Sequence, residues 1–117
     1  MKSDKLKALM KEADALWSQA IHRSYRGRCL YTGGKGIDPH HVFLRRNKAT
    51  RWELMNGVLL SREMHAWAHR DQKAFRDWIR GEMGFEAYDK LEKKSREVFR
   101  PTDRDMEAII QGLTEWV

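Results

Sequence analysis

A chain of 117 residues suffices for one compact domain and is too short for two with separate cores. It is 41% hydrophobic, so a packed core is within reach, and its formal charge of +6 with a pI near 9.7 points to an anionic partner, nucleic acid or a membrane surface. No apolar run reaches the roughly 18 residues of a membrane span, and Cys29, the lone cysteine, excludes an internal disulfide. Met1-Lys2-Ser3-Asp4 leads into a charged amphipathic pattern unlike a secretory signal, so a reducing cytoplasm is the expected location.

Ser3 is a natural N-cap. Leu6, Leu9, Met10, Ala13, Leu16, Trp17, Ala20 and Ile21 recur at helical spacing behind it. The pattern predicts a helix to about Arg26, with Gly27 as its stop. Arg28 to Tyr31 form a short segment before the flexible turn of residues 32–36. Residues 37–44 then read as one strand and 57–60 as a second, giving a β-hairpin. Ser61, with Glu63 in the first turn, opens a helix carrying His65 and His69. Phe75, Trp78 and Ile79 mark a buried helical face. Phe85, Tyr88, Leu91, Val98 and Phe99 mark another beyond a break over Gly81 to Gly84. Thr102 caps a last helix with Met106, Ile109, Ile110 and Leu113 as its stripe. The expected fold is α+β and mostly helical. One domain spans 1–117: an N-terminal helix over 1–27, a two-stranded hairpin plus helix over 28–70, and two or three C-terminal helices over 71–117. The tryptophans read as core residues.

Four of the five histidines fall within thirty residues: His40, His41, His65 and His69. Adjacent strand residues point to opposite sides, so His40 and His41 can take different tasks. His65 and His69 are four apart on a helix and share a face turned toward the hairpin. Asn56 stands before the second strand. Hydrolysing a phosphodiester requires an activated water, neutralised charge on the non-bridging oxygens and a stabilised leaving oxygen. A neutral imidazole with a pKa of about 6.5 suits the first requirement, and one divalent cation the other two. The imidazole also needs its ring held in one orientation, which an asparagine can support.

This His-His, Asn, His, His pattern resembles the HNH, or ββα-metal, nuclease family, with spacing similar to that of the colicin-type DNases. The resemblance covers residues 37–70, and the C-terminal helices are similar to those of small phage HNH proteins. It implies a ββα-metal core, with His41 as general base and Asn56 as its orienting partner. It implies one divalent ion (Mg, Mn, Zn, Ni or Co) on His40 and His65, with His69 as a third ligand or a phosphate contact. The implied activity is endonucleolytic hydrolysis of DNA to 5′-phosphate and 3′-hydroxyl ends, nicking one strand per site. A double-strand break then needs a homodimer or two encounters. The implied setting is a bacterial or phage-infected cell.

One departure stands out. Many small HNH proteins carry two Cys-x-x-Cys pairs on a structural zinc, and the corresponding positions here are Cys29 and Thr32, then Ser61 and Met64. One thiolate cannot complete a tetrahedral site, so no structural zinc is expected. Between the strands Arg45, Arg46, Lys48 and Arg51 occur without an acidic residue among them and are candidates for nucleic-acid phosphates. Asp38 reads either as support for a metal-bound histidine or as part of an Asp-Pro turn. His65-Ala66-Trp67-Ala68-His69 has zincin spacing, but Ala66 sits where that mechanism requires glutamate, which excludes a zinc peptidase. The alternatives are a non-catalytic DNA-binding module with a structural metal, and a phage junction-processing or packaging factor.

Overall fold

The computed structural model describes residues 2–117. Ser3 holds extended backbone, and its Oγ accepts a hydrogen bond from the Leu6 N–H at 3.0 Å, which starts α1 (Asp4–Ser24). Met10, Ala13, Trp17, Ala20 and Ile21 are its buried stripe. The helix stops two residues before the expected Arg26. Arg26 (φ 53°) and Gly27 (φ 69°) both adopt left-handed backbone, which reverses the chain. An isolated antiparallel bridge, Arg28 to Lys35, then closes a loop over Gly33.

Two strands follow, β1 (Asp38–His41) and β2 (Gly57–Leu60), paired antiparallel with Asp38 opposite Leu60, Pro39 opposite Leu59, His40 opposite Val58 and His41 opposite Gly57. The first strand is shorter than the expected 37–44 for a specific reason. The Val42 N–H still donates in register to the Asn56 carbonyl, but Asn56 ends the 3₁₀ turn Leu54–Asn56 and its Oδ1 takes the Phe43 N–H, so the pairing goes no further.

All four β2 residues are buried, so the sheet is covered on both sides. Leu59 packs with Trp17, Ile21, Trp52, Met106 and Leu113 on the α1 side. Val58 and Leu60 pack with Cys29, Ala68, Phe75, Ile79 and Tyr88 on the other. Each of these fully buried aliphatic side chains contributes roughly 1.5–3 kcal/mol relative to exposure. Because directly opposed residues share a face, the register puts Asp38 and His40 on the Val58/Leu60 side, and Pro39 and His41 on the Leu59 side.

Ser61 caps α2 (Arg62–Arg70) by accepting from the Met64 N–H, and Asp71 caps α3 (Gln72–Met83) by accepting from Ala74. Gly81 lies inside α3, so the break expected over Gly81 to Gly84 is confined to Gly84 (φ 89°). After it comes α4 (Phe85–Ser95), then α5 (Asp103–Thr114), which opens on a capping box between Thr102 and Asp105. Two apolar residues expected inside are outside: Phe85 is 61% exposed beneath the Arg80 guanidinium, and Val98 is 84% exposed. Phe99 packs against the α1 side as expected. The fold is α+β: a hairpin and helix flanked by one N-terminal and three C-terminal helices. Among the described residues, no helix is long and apolar enough to cross a membrane.

Candidate functional site

On the α2 side of the sheet, His40, His65 and His69 converge, each offering one ligating nitrogen within 4.8 Å of the others. The two helix positions are one turn apart, so the i, i+4 geometry brings His65 Nε2 to 3.0 Å from His69 Nε2. His65 Nδ1 lies 3.2 Å from the Asp38 carboxylate. A carboxylate oxygen accepts, so Nδ1 carries a proton, and in the neutral tautomer the Nε2 lone pair faces His69. Of the two readings of Asp38, the support of a histidine is the one the geometry realises. His40 contributes from the strand, edge-on to His65, His69 and Phe75. Burial, then the neighbouring His65, His69 and His41, pushes its pKa down to about 4. The ring is therefore neutral near pH 7 and keeps a lone pair available. Three converging imidazoles backed by a carboxylate fit a divalent cation of borderline softness.

His41 is held quite differently. Its ring faces α1, where the Trp17 indole stacks on it with centroids 3.9 Å apart and planes 6° from parallel. Its Nε2 lies 2.9 Å from the Arg51 carbonyl. A carbonyl accepts only, so Nε2 donates, and in the neutral ring Nδ1 is left with the lone pair. Burial pushes the His41 pKa below the ordinary histidine value. The Arg51 carbonyl and Asp14 oppose this, while the Arg45 and Arg51 charges add to it. The strand thus presents two neutral imidazoles on consecutive residues, one in a three-histidine cluster and one with a single free ring nitrogen.

Asn56 is fully buried, and its side chain makes no hydrogen bond to His41. Its Oδ1 accepts from the Phe43 N–H (2.8 Å), and its Nδ2 donates to the Phe43 and Thr50 carbonyls (both 3.1 Å). The amide therefore ties the start and the middle of the loop between the strands to its last residue. It acts on His41 through that loop, whose Arg51 carbonyl makes the ring contact.

The four loop cations separate into two kinds. The Arg51 side chain is 12% exposed and grips Asp14 through Nε and Nη2, at 3.0 and 2.6 Å. Arg45 reaches the same carboxylate at 2.7 Å from a mostly exposed position. Trp52 Nε1 also donates to it. Burial of Asp14 raises its pKa, but the two arginines overcome this and hold it below the usual carboxylate value. Arg46 and Lys48 have no carboxylate partner among the described residues. Arg51 serves the loop under His41, while Arg46, Lys48 and the outer face of Arg45 remain open to an anion.

The positions matching the two Cys-x-x-Cys pairs do meet. Cys29 is 1% exposed, and burial raises its thiol pKa. Hydrogen bonds from the Thr32 hydroxyl and from the backbone of Thr32, Ser61 and Tyr31 outweigh that and bring it to about 7. Beside it, Tyr31 packs on Trp67 and Trp78 with centroids 5.3 and 4.8 Å apart.

Sequence reasoning gave Trp17 a core role alone and gave Asp14 none, since both sit on α1 without a local partner that marks them. The i, i+3 relation between them was the available signal. Compared with models of protein families, with curated proteins and with solved structures, the chain finds no match in any of the three.

Proposed function

We propose that the chain is a metal-dependent endonuclease of the HNH type that hydrolyses DNA phosphodiester bonds, cutting one strand per site. The observation that carries this reading is the pair of consecutive strand histidines held for different tasks. His40 joins His65 and His69, while His41 keeps Nδ1 free with Nε2 on the Arg51 carbonyl.

His41 Nδ1 takes a proton from the attacking water, and the Arg51 carbonyl favours the cation that results. Depression of its pKa by burial keeps the ring unprotonated and ready at neutral pH. His40, His65 and His69 would hold a divalent cation (Mg, Mn, Zn, Ni or Co), which supplies charge neutralisation at the phosphate and at the departing 3′ oxygen. Asp38 fixes the tautomer of His65. To hold a cation, His69 would have to present an unprotonated ring nitrogen to it. Arg46, Lys48 and Arg45 contact flanking phosphates, giving affinity that falls with salt and carries little sequence information.

The test is a supercoiled-plasmid assay with wild type and His41→Ala in EDTA and in each of the five metals, beside zinc or nickel titration of both proteins. Metal-dependent nicking by the wild type alone, with metal binding intact in His41→Ala, supports the assignment. Equal cutting by the two proteins removes His41 from the chemistry. No cutting in any metal, with DNA still bound, replaces the nuclease reading with a binding module.

A further inference from the structure

The helix α1 lies across the sheet from the three-histidine cluster, yet it supplies the contact that covers the whole face of His41. The Trp17 indole is 2% exposed, parallel to the imidazole within 6° and at 3.9 Å between centroids. Its Nε1–H donates to the Glu53 carbonyl at 2.8 Å, so the plate is itself pinned and cannot rotate away. The space for it under the strand exists because residue 57 is glycine: a Cβ there would lie 2.7 Å from Trp17 Cζ2. The Arg51 carbonyl holds one edge of the same imidazole. A ring fixed on one face and one edge has its tilt and its flip removed, and the remaining nitrogen points in a single direction.

We infer that Trp17 is a positioning residue for His41, a flat restraint that aims Nδ1, and that this aiming comes from α1 rather than from direct contact with Asn56. A base useful in only one geometry loses on the order of 10²-fold in rate when displaced by about 1 Å, whereas a residue needed only to fill the core affects rate only as far as it affects folding. Trp17 touches neither His40, His65 nor His69 by any ring contact, so the two effects can be read separately.

The rate arm rests on the nuclease reading above; the spectroscopic arm does not. Trp17→Phe keeps a flat ring and Trp17→Leu keeps only apolar volume, and both lose the indole N–H. Positioning predicts that Trp17→Phe retains kcat within several-fold. Trp17→Leu should lose on the order of 10²-fold in kcat, with KM and zinc or nickel affinity unchanged. If both variants lose kcat in parallel and in proportion to their loss of Tm, Trp17 is core only and the inference is overturned. NMR of the histidine rings supplies the independent arm. Wild-type His41 should show protonated Nε2, unprotonated Nδ1 and ring protons shifted upfield by the indole; the shift should persist in part in Trp17→Phe and vanish in Trp17→Leu. A wild type without that shift overturns the inference even if Trp17→Leu cannot be folded. A wild type that shows the shift but cuts no DNA sinks the nuclease reading and leaves the ring restraint standing.

Discussion

Gly57→Ala tests the packing on which the site depends. Asn-Gly is a common turn pair, but Gly57 has φ −124° and ψ 143°, extended backbone that alanine adopts without strain. The glycine is there for space. An added Cβ would stand 2.3 Å from Ile21 Cδ1, 2.6 Å from Ile21 Cγ1 and 2.7 Å from Trp17 Cζ2. Ile21 is 1% exposed and walled in, and Trp17 is tied to the Glu53 carbonyl, so neither yields without moving α1. Overpacking of this kind costs about 1–3 kcal/mol, and three contacts this short argue for the upper end. Lower entropy of the unfolded chain returns about 0.4–1 kcal/mol, leaving a net loss of about 2 kcal/mol. That corresponds to roughly 8 °C in Tm. Gly112→Ala in α5 is the control, because nothing lies within 4 Å of its added Cβ. It should gain about 0.8–1 kcal/mol from helix propensity. Urea unfolding followed by circular dichroism reads both. A Gly57→Ala protein within 0.5 kcal/mol of wild type would refute the reasoning, since such contacts cannot be absorbed without cost. In the cutting assay this variant should also behave as Trp17→Leu does, with metal binding intact.

Asn56→Ala removes three hydrogen bonds to Phe43 and Thr50 and should cost about 2–3 kcal/mol through buried groups left unpaired; native-state hydrogen exchange should show the Phe43 amide losing protection. For Asp14 the folded pKa lies below the unfolded one, so the unfolded state takes the proton first. Its contribution is full above about pH 4 and is lost as pH falls through the folded value; urea midpoints from pH 5 to 3 should fall more steeply for wild type than for Asp14→Asn. For His40, with a folded pKa of about 4 against 6.5, the metal-free protein should lose about 3 kcal/mol as pH drops across that window. His40→Ala should flatten the same stretch of the stability curve.

The histidine geometry was legible because it rests on local periodicity. A period of two separates His40 from His41, and four residues along a helix align His65 with His69. The caps Ser3, Ser61 and Thr102 were readable for the same reason. What sequence could not show depends on partners far along the chain. Arg51 looked like a free cation in a basic run because its carboxylate is 37 positions away on another element. Asp14 carried no local signal of its partners, because Arg45, Arg51 and Trp52 lie more than thirty positions away. The length of β1 is set by a side chain, Asn56 Oδ1 capturing the Phe43 N–H, which no alternation of apolar residues encodes. Phe85 fits an apolar stripe but meets no core, and its partner is the Arg80 guanidinium.

The Cys29 region explains how the hairpin is held without four thiolates. The Cys29 side chain sits in the core with Val58, Leu60 and Ala68, and polar groups of Thr32, Tyr31 and Ser61 surround its sulfur between the loop after α1 and the start of α2. Tyr31, Trp67 and Trp78 close over the same junction. These contacts predict that the junction folds without an ion and that metal affects stability only through the three histidines. Two variants separate these roles. Cys29→Ala removes a fully buried sulfur and should cost about 1 kcal/mol, while its zinc or nickel isotherm stays that of the wild type. His65→Ala should abolish the metal-dependent rise in Tm, which for a single site follows the ratio of free metal to Kd and amounts to about 2.7 kcal/mol at a hundredfold excess over Kd. Thermal melts across a metal titration read both effects at once. If Cys29→Ala instead removes the metal-dependent rise, Cys29 is a ligand and the junction depends on an ion.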